Sequence, residues 1–88
     1  MRLKYEFATV ELGDEINAVP LGEGAKVFHG ILRLNRTAAD IFDLLRRETD
    51  EDTVVRTLAE QYDASEEELR SAVRSLTEQL VAERLLEL

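Results

Sequence analysis

The chain has 88 residues, enough for one small domain with one core that buries only about 60–65% of the surface its unfolded form exposes. Hydrophobic residues make up 44% and charged residues 34%, which fits a globular chain, and the absence of cysteine removes disulfides, thiolate zinc sites and cysteine nucleophiles. The net charge of −8 is uneven: residues 1–35 carry 4 Lys+Arg against 5 Asp+Glu, residues 36–88 carry 7 against 14, and so acidic a second half repels phosphate backbones and anionic membranes.

Three short runs rich in Val, Ile and Phe come first: EFATVEL, EINAVPL and GILRL, separated by GDE and GEGAK, which hold turn-forming residues. All four glycines and the single proline precede Asn35, as strands and turns require. In the first run Ala8, Val10 and Leu12 alternate with Phe7, Thr9 and Glu11, giving one apolar face and one mixed face. Pro20 cannot donate a ladder hydrogen bond, so it belongs at a sheet edge or at a strand end. In the third run Leu32 and Leu34 are the expected core residues.

Three helix starts follow. TAAD at Thr37–Asp40, TDED at Thr49–Asp52 and SEEE at Ser65–Glu68 each place a hydroxyl three residues before a carboxylate, the pattern of a capping box. Asn35 competes with Thr37 as the first cap. Behind these caps the apolar period is helical: Ala38, Ile41, Phe42 and Leu45; Val54 or Val55 with Leu58, Ala59 and Tyr62; then Leu69, Ala72, Val73, Leu76 and Leu80. Short connections force the helices to pack on one another. The expected fold is one α+β domain over residues 1–88, winged-helix-like, with a three-stranded antiparallel sheet within about 4–34 followed by three packed helices within about 36–84.

Chemistry is sparse. With one histidine, His29, and no cysteine, neither a hydrolase triad nor a histidine-rich metal centre can be assembled. Gly22 to Gly24 lack the Lys-Ser/Thr of a phosphate-binding loop. Asp63 and Glu66 to Glu68 lack the spacing and glycine of a calcium loop, and a solvated helix start accounts for them. No catalytic residue, metal or cofactor is expected. Arg70 and Arg74 lie four apart, with Glu66 and Glu78 a further four away on either side. They form either a row of exposed ion pairs or a groove wall that engages a partner's carboxylates. No run approaches the roughly 20 apolar residues of a membrane span, and the amino end lacks the apolar core of a signal peptide, so a cytoplasmic chain without a membrane partner is expected.

A specific likeness is carried by GILRLNRTAADIFDLL and by TDEDTVVRTLAEQYDASEEELRSAVRSLTEQLVAERLLEL. The RLN strand end leading into TAADIF, the AEQYDASEEEL junction, Leu76 and Leu80, and the pair Leu85 and Leu86 together resemble the PqqD family of pyrroloquinoline quinone biosynthesis chaperones and related precursor-peptide recognition elements. The likeness covers roughly residues 16–88. It implies a small non-catalytic domain that captures the leader segment of a ribosomally made precursor peptide and delivers it to a modifying enzyme, often a radical SAM enzyme. The leader would add a strand to the third strand's edge at Gly30, Ile31, Leu32 and Arg33. The resemblance also implies a groove wall on the third helix that includes Leu69, Arg70, Val73, Arg74 and Thr77. An unpaired strand edge offers backbone donors and acceptors in register, while the adjoining groove supplies specificity. Arginines on that groove would favour acidic residues in the leader. One departure stands out: the family commonly has glycine near the end of its last helix, and Arg84 stands here, so the helix is expected to run on or to end differently.

Two other readings stay open. A winged-helix regulator would bind DNA or a protein partner, although Ser65 to Arg84 carries 3 Arg against 5 Glu, the wrong sign for a groove reader and a reason not to expect a nucleic-acid partner. A dimerisation module would pair the free edges of two copies into a homodimer.

Overall fold

A computed structural model describes residues 1–88 as β1 (Arg2–Leu3), β2 (Phe7–Leu12), β3 (Glu15–Pro20), α1 (Gly24–Val27), β4 (Leu32–Leu34), α2 (Arg36–Leu44), α3 (Glu51–Ala59), α4 (Glu66–Ala82) and β5 (Leu86–Glu87). The three expected strands correspond to β2, β3 and β4, which form one antiparallel sheet in that spatial order. β2 and β3 meet at a two-residue turn, where Gly13 takes the first position at φ 67, as a II′ hairpin requires. Pro20 ends the middle strand opposite Phe7, where no further ladder bond is asked of it.

The alternation expected in β2 is present, but its apolar face points away from the core. Ala8, Val10 and Leu12 are exposed, Val10 by 49% and Leu12 by 62%, because the helices cover only the opposite face. On that inner face Phe7 is buried and meets Phe42 edge-on, with ring centroids 5.0 Å apart. Arg46 lies 5.4 Å from the Phe42 ring centre and donates to the Phe7 carbonyl at 3.0 Å, which ties the hairpin to the end of α2.

Each long helix starts on a side-chain cap. Asn35, directly after β4, accepts from the Ala38 N–H at 2.8 Å; Ser65 accepts from Glu68 N–H at 3.1 Å. For α3 the cap is Asp50, which accepts from Thr53 N–H at 2.8 Å, and not Thr49. The carboxylate of Asp50 suits the helix dipole, and hydrogen bonding to Thr53, its backbone N–H foremost, holds the Asp50 pKa below the usual range. The core gathers Leu32 and Leu34 from the sheet, Ile41, Phe42 and Leu45 around α2, Val54, Val55 and Leu58 from α3, and Leu69, Val73, Leu76 and Leu80 from α4. Full burial of each such side chain contributes about 1.5–3 kcal/mol. Two alanines differ from the expected stripes: Ala39 is buried where Ala38 is half-buried, and Ala59 is exposed.

Three elements lay outside the sequence-based expectation. β1 pairs with β5 as a two-stranded ribbon, Arg2 opposite Glu87 and Leu3 opposite Leu86, which brings strand beyond both ends of the expected range. Two-residue strands carry no readable period. The one-turn α1 is set by a close approach: a Cβ on Gly24 would lie 2.8 Å from the Tyr5 Cβ and 3.2 Å from the Pro20 Cβ, so only glycine lets this turn press against that wall.

The end of α4 settles the role of Arg84. The helix does not run on. Arg84 takes φ 61, its N–H bonds the Val81 carbonyl at 3.0 Å, and the Leu85 N–H bonds the Leu80 carbonyl at 2.8 Å. These are the two bonds of a Schellman closure, with buried Leu80 and Leu85 as its apolar contact. Arginine occupies the left-handed position that glycine favours.

Candidate functional site

β4 is short because Asn35 caps α2 immediately after it, and β3 covers only one of its edges. No strand pairs with the other edge. No turn or loop hydrogen bond reaches the backbone of residues 30–34 either, so alternate N–H and C=O groups along that edge are unclaimed. Leu32 and Leu34 point into the core while Arg33 points outward and sits 3.5 Å from a Glu15 carboxylate oxygen. Gly30 and Ile31 precede the strand; Ile31 is 56% exposed, and the Phe28 ring packs against Gly30.

Beside the edge lies an open cleft of about 250 Å³. Arg33, Leu34 and Asn35 form one side, Thr37, Ala38 and Ile41 of α2 lie at the bottom, and Ala72, Ser75, Leu76 and Gln79 of α4 form the far wall. Small side chains at Ala38, Ala72 and Ser75 leave the space. Leu34, Ala38, Ile41, Ala72 and Leu76 give the lining its apolar part, and Arg33, Asn35, Thr37, Ser75 and Gln79 supply hydrogen-bonding groups, a composition that suits an apolar side chain flanked by peptide groups.

The α4 residues expected as the groove wall are distributed differently. Leu69 and Val73 are buried in the core. Arg70 and Arg74 lie on the flank that faces α3, and Thr77, half-buried, sits near Val81 and Leu88. None of the five lines the cleft beside β4, whereas the edge residue Arg33 does. Apolar spacing locates the buried stripe of a helix but leaves its two flanks equivalent. The flank that adjoins β4 carries the small residues Ala72 and Ser75 opposite Ala38.

Arg70 and Arg74 converge on one carboxylate. Arg70 donates to Glu51 Oε2 at 2.6 Å, Asp52 Oδ1 at 2.8 Å and Glu66 Oε1 at 3.0 Å, and Arg74 donates to Glu51 Oε1 at 2.8 Å. The Arg74 and Arg70 guanidinium groups hold the Glu51 carboxyl below its ordinary range. Glu51, Asp52 and Glu66 in turn raise the pKa of Arg70, with Glu51 the largest contributor. This network fastens the start of α3 to the middle of α4. The Tyr62 hydroxyl, in the connection after α3, donates to the Asp40 carboxylate of α2.

A family model described as Coenzyme PQQ synthesis protein D (PqqD) matches residues 22–86. The chain belongs to the PqqD family. The PqqD match spans β4, the cleft and all three long helices, and it begins just after the β2–β3 hairpin. Comparison with curated proteins gave no match. Among solved structures, one described as "TbiB1 in Complex with the TbiA(beta) Leader Peptide" is similar with a TM-score of 0.72, at 18% identity over 99% of this chain and 95% of that one. At that identity the likeness is one of fold, and it extends the α+β architecture to the hairpin that the PqqD match leaves out. No helix is long and apolar enough to cross a membrane.

Proposed function

We propose that this PqqD-family chain is a non-catalytic adaptor that binds the leader segment of a ribosomally synthesised precursor peptide and presents it to a modifying enzyme. The leader adds as a strand to β4 along Gly30 to Arg33 and drops an apolar side chain into the cleft between α2 and α4. The observation that carries this reading is the unclaimed β4 edge lying directly beside that cleft. Support also comes from the similarity to a protein solved with a leader peptide. The modifying enzyme is of the radical SAM type, on the strength of the family resemblance alone.

Titration of the isotope-labelled chain with leader peptides encoded beside its gene tests the reading. Amides of Ile31 to Arg33 and of Ala72, Ser75 and Gln79 should shift, and a peptide N-methylated at alternate positions should lose affinity. Shifts confined to other surfaces would sink the strand-addition model. Copurification with a radical SAM enzyme encoded nearby tests the identity of the partner.

A further inference from the structure

One surface of this acidic molecule is basic. An open cleft of about 600 Å³ lies where α1 meets the end of α4, lined by Lys4, Tyr5, Lys26, Val27, Ala82, Glu83 and Arg84. It gathers three cations around a single carboxylate on a chain whose net charge is −8. Neither Lys4 nor Arg84 takes part in an ion pair, and Lys26 has only an exposed contact to Glu23 at 3.3 Å. The walls are set by packing already described: Gly24 presses α1 against Tyr5 and thereby places Lys26 near Lys4, and the Schellman closure places Arg84. Arg84 holds a left-handed backbone, at φ 61, that glycine would hold without strain.

The basic cleft is a separate hollow that follows the β4 cleft along α4. Ala72, Ser75 and Gln79 face the strand edge, and Ala82 and Glu83 follow Gln79 by three and four residues on the same side of α4. The two clefts are therefore about one helical turn, roughly 5 Å, apart. Val27, which lines the basic cleft, precedes Ile31 by four residues in the chain. A peptide paired with β4 that ran on past Ile31 toward Val27 would approach the basic cleft.

We propose that this cleft is a second subsite for the bound peptide and takes an acidic segment, with Lys4, Lys26 and Arg84 engaging its carboxylates. The inference rests on the leader-binding reading and specifies the charge of the leader beyond its strand-forming part. The acidic surroundings sharpen selectivity, since the net charge of −8 disfavours an acidic segment over most of the surface while the three cations here attract it.

The test uses hexaglutamate, which has no apolar anchor for the β4 cleft, titrated at low salt into the labelled full chain. Amides of Lys4, Tyr5, Lys26, Val27 and Ala82 to Arg84 should shift, hexalysine should leave them unchanged, and added salt should reverse the effect. The triple variant Lys4→Gln, Lys26→Gln, Arg84→Gln should bind hexaglutamate about tenfold more weakly. Arg84→Gly alone, which relieves the backbone, should also weaken binding while leaving the fold at least as stable. Equal affinity in the triple variant, or shifts spread over other surfaces, would overturn the proposal. Because hexaglutamate does not need the strand edge, failure here is separate from failure of the leader peptide to shift Ile31 to Arg33.

Discussion

Leu85 donates its N–H to the Leu80 carbonyl at 2.8 Å, closing α4 over a left-handed Arg84. A non-glycine residue in that region carries a backbone cost of about 1–2 kcal/mol, partly offset by the greater freedom glycine has in the unfolded chain. Arg84→Gly should therefore stabilise the domain by about 0.5–1 kcal/mol, read as a higher urea midpoint at unchanged slope. A lower midpoint would mean that the Arg84 side chain contributes more to the fold than its backbone costs.

Glu51, held by Arg74 and Arg70, makes stability depend on acid. Its pKa is lowered from an ordinary value of 4.5, so its contribution is complete above that value and is lost as pH falls through the lower folded-state pKa. Asp50, lowered by the Thr53 N–H, acts in the same direction. Thermal midpoints of the wild-type chain should decline as pH drops below about 4.5. Glu51→Gln should lower the neutral-pH midpoint by about 2–4 °C and flatten that decline. Parallel acid limbs in the two proteins would show that the network is without effect on stability.

Much of the fold was legible because its signals are local. Asn35, Ser65 and the helical spacing of Leu69 to Leu80 are read from adjacent residues, and the structure bears them out. The β1–β5 ribbon and the one-turn α1 depend on contacts between distant segments, as between Tyr5 and Gly24, and leave no periodic trace. The candidate site divides along the same line. The β4 edge follows from a strand that ends in a helix cap, but the flank of α4 that meets it is decided by packing. Arg70 and Arg74 faced Glu51, while Ala72 and Ser75 faced the strand.

That division of α4 predicts opposite results for two exposed positions. Ser75→Trp fills the β4 cleft and should weaken leader binding at least about tenfold, with stability within about 0.5 kcal/mol of wild type. Arg74→Ala, on the α3 flank, should leave affinity within about twofold. Calorimetric titration of both variants checks the pair. The reverse ranking would place the peptide on the α3 side of the helix.

Hydrogen exchange along β4 is the most direct measurement. In the free chain the amides of Ile31 to Leu34 that point away from β3 should exchange readily, and saturation with leader peptide should protect them while β2 amides stay unchanged. A saturated complex in which exchange along Ile31 to Leu34 is the same as in the free chain would contradict strand addition at this edge.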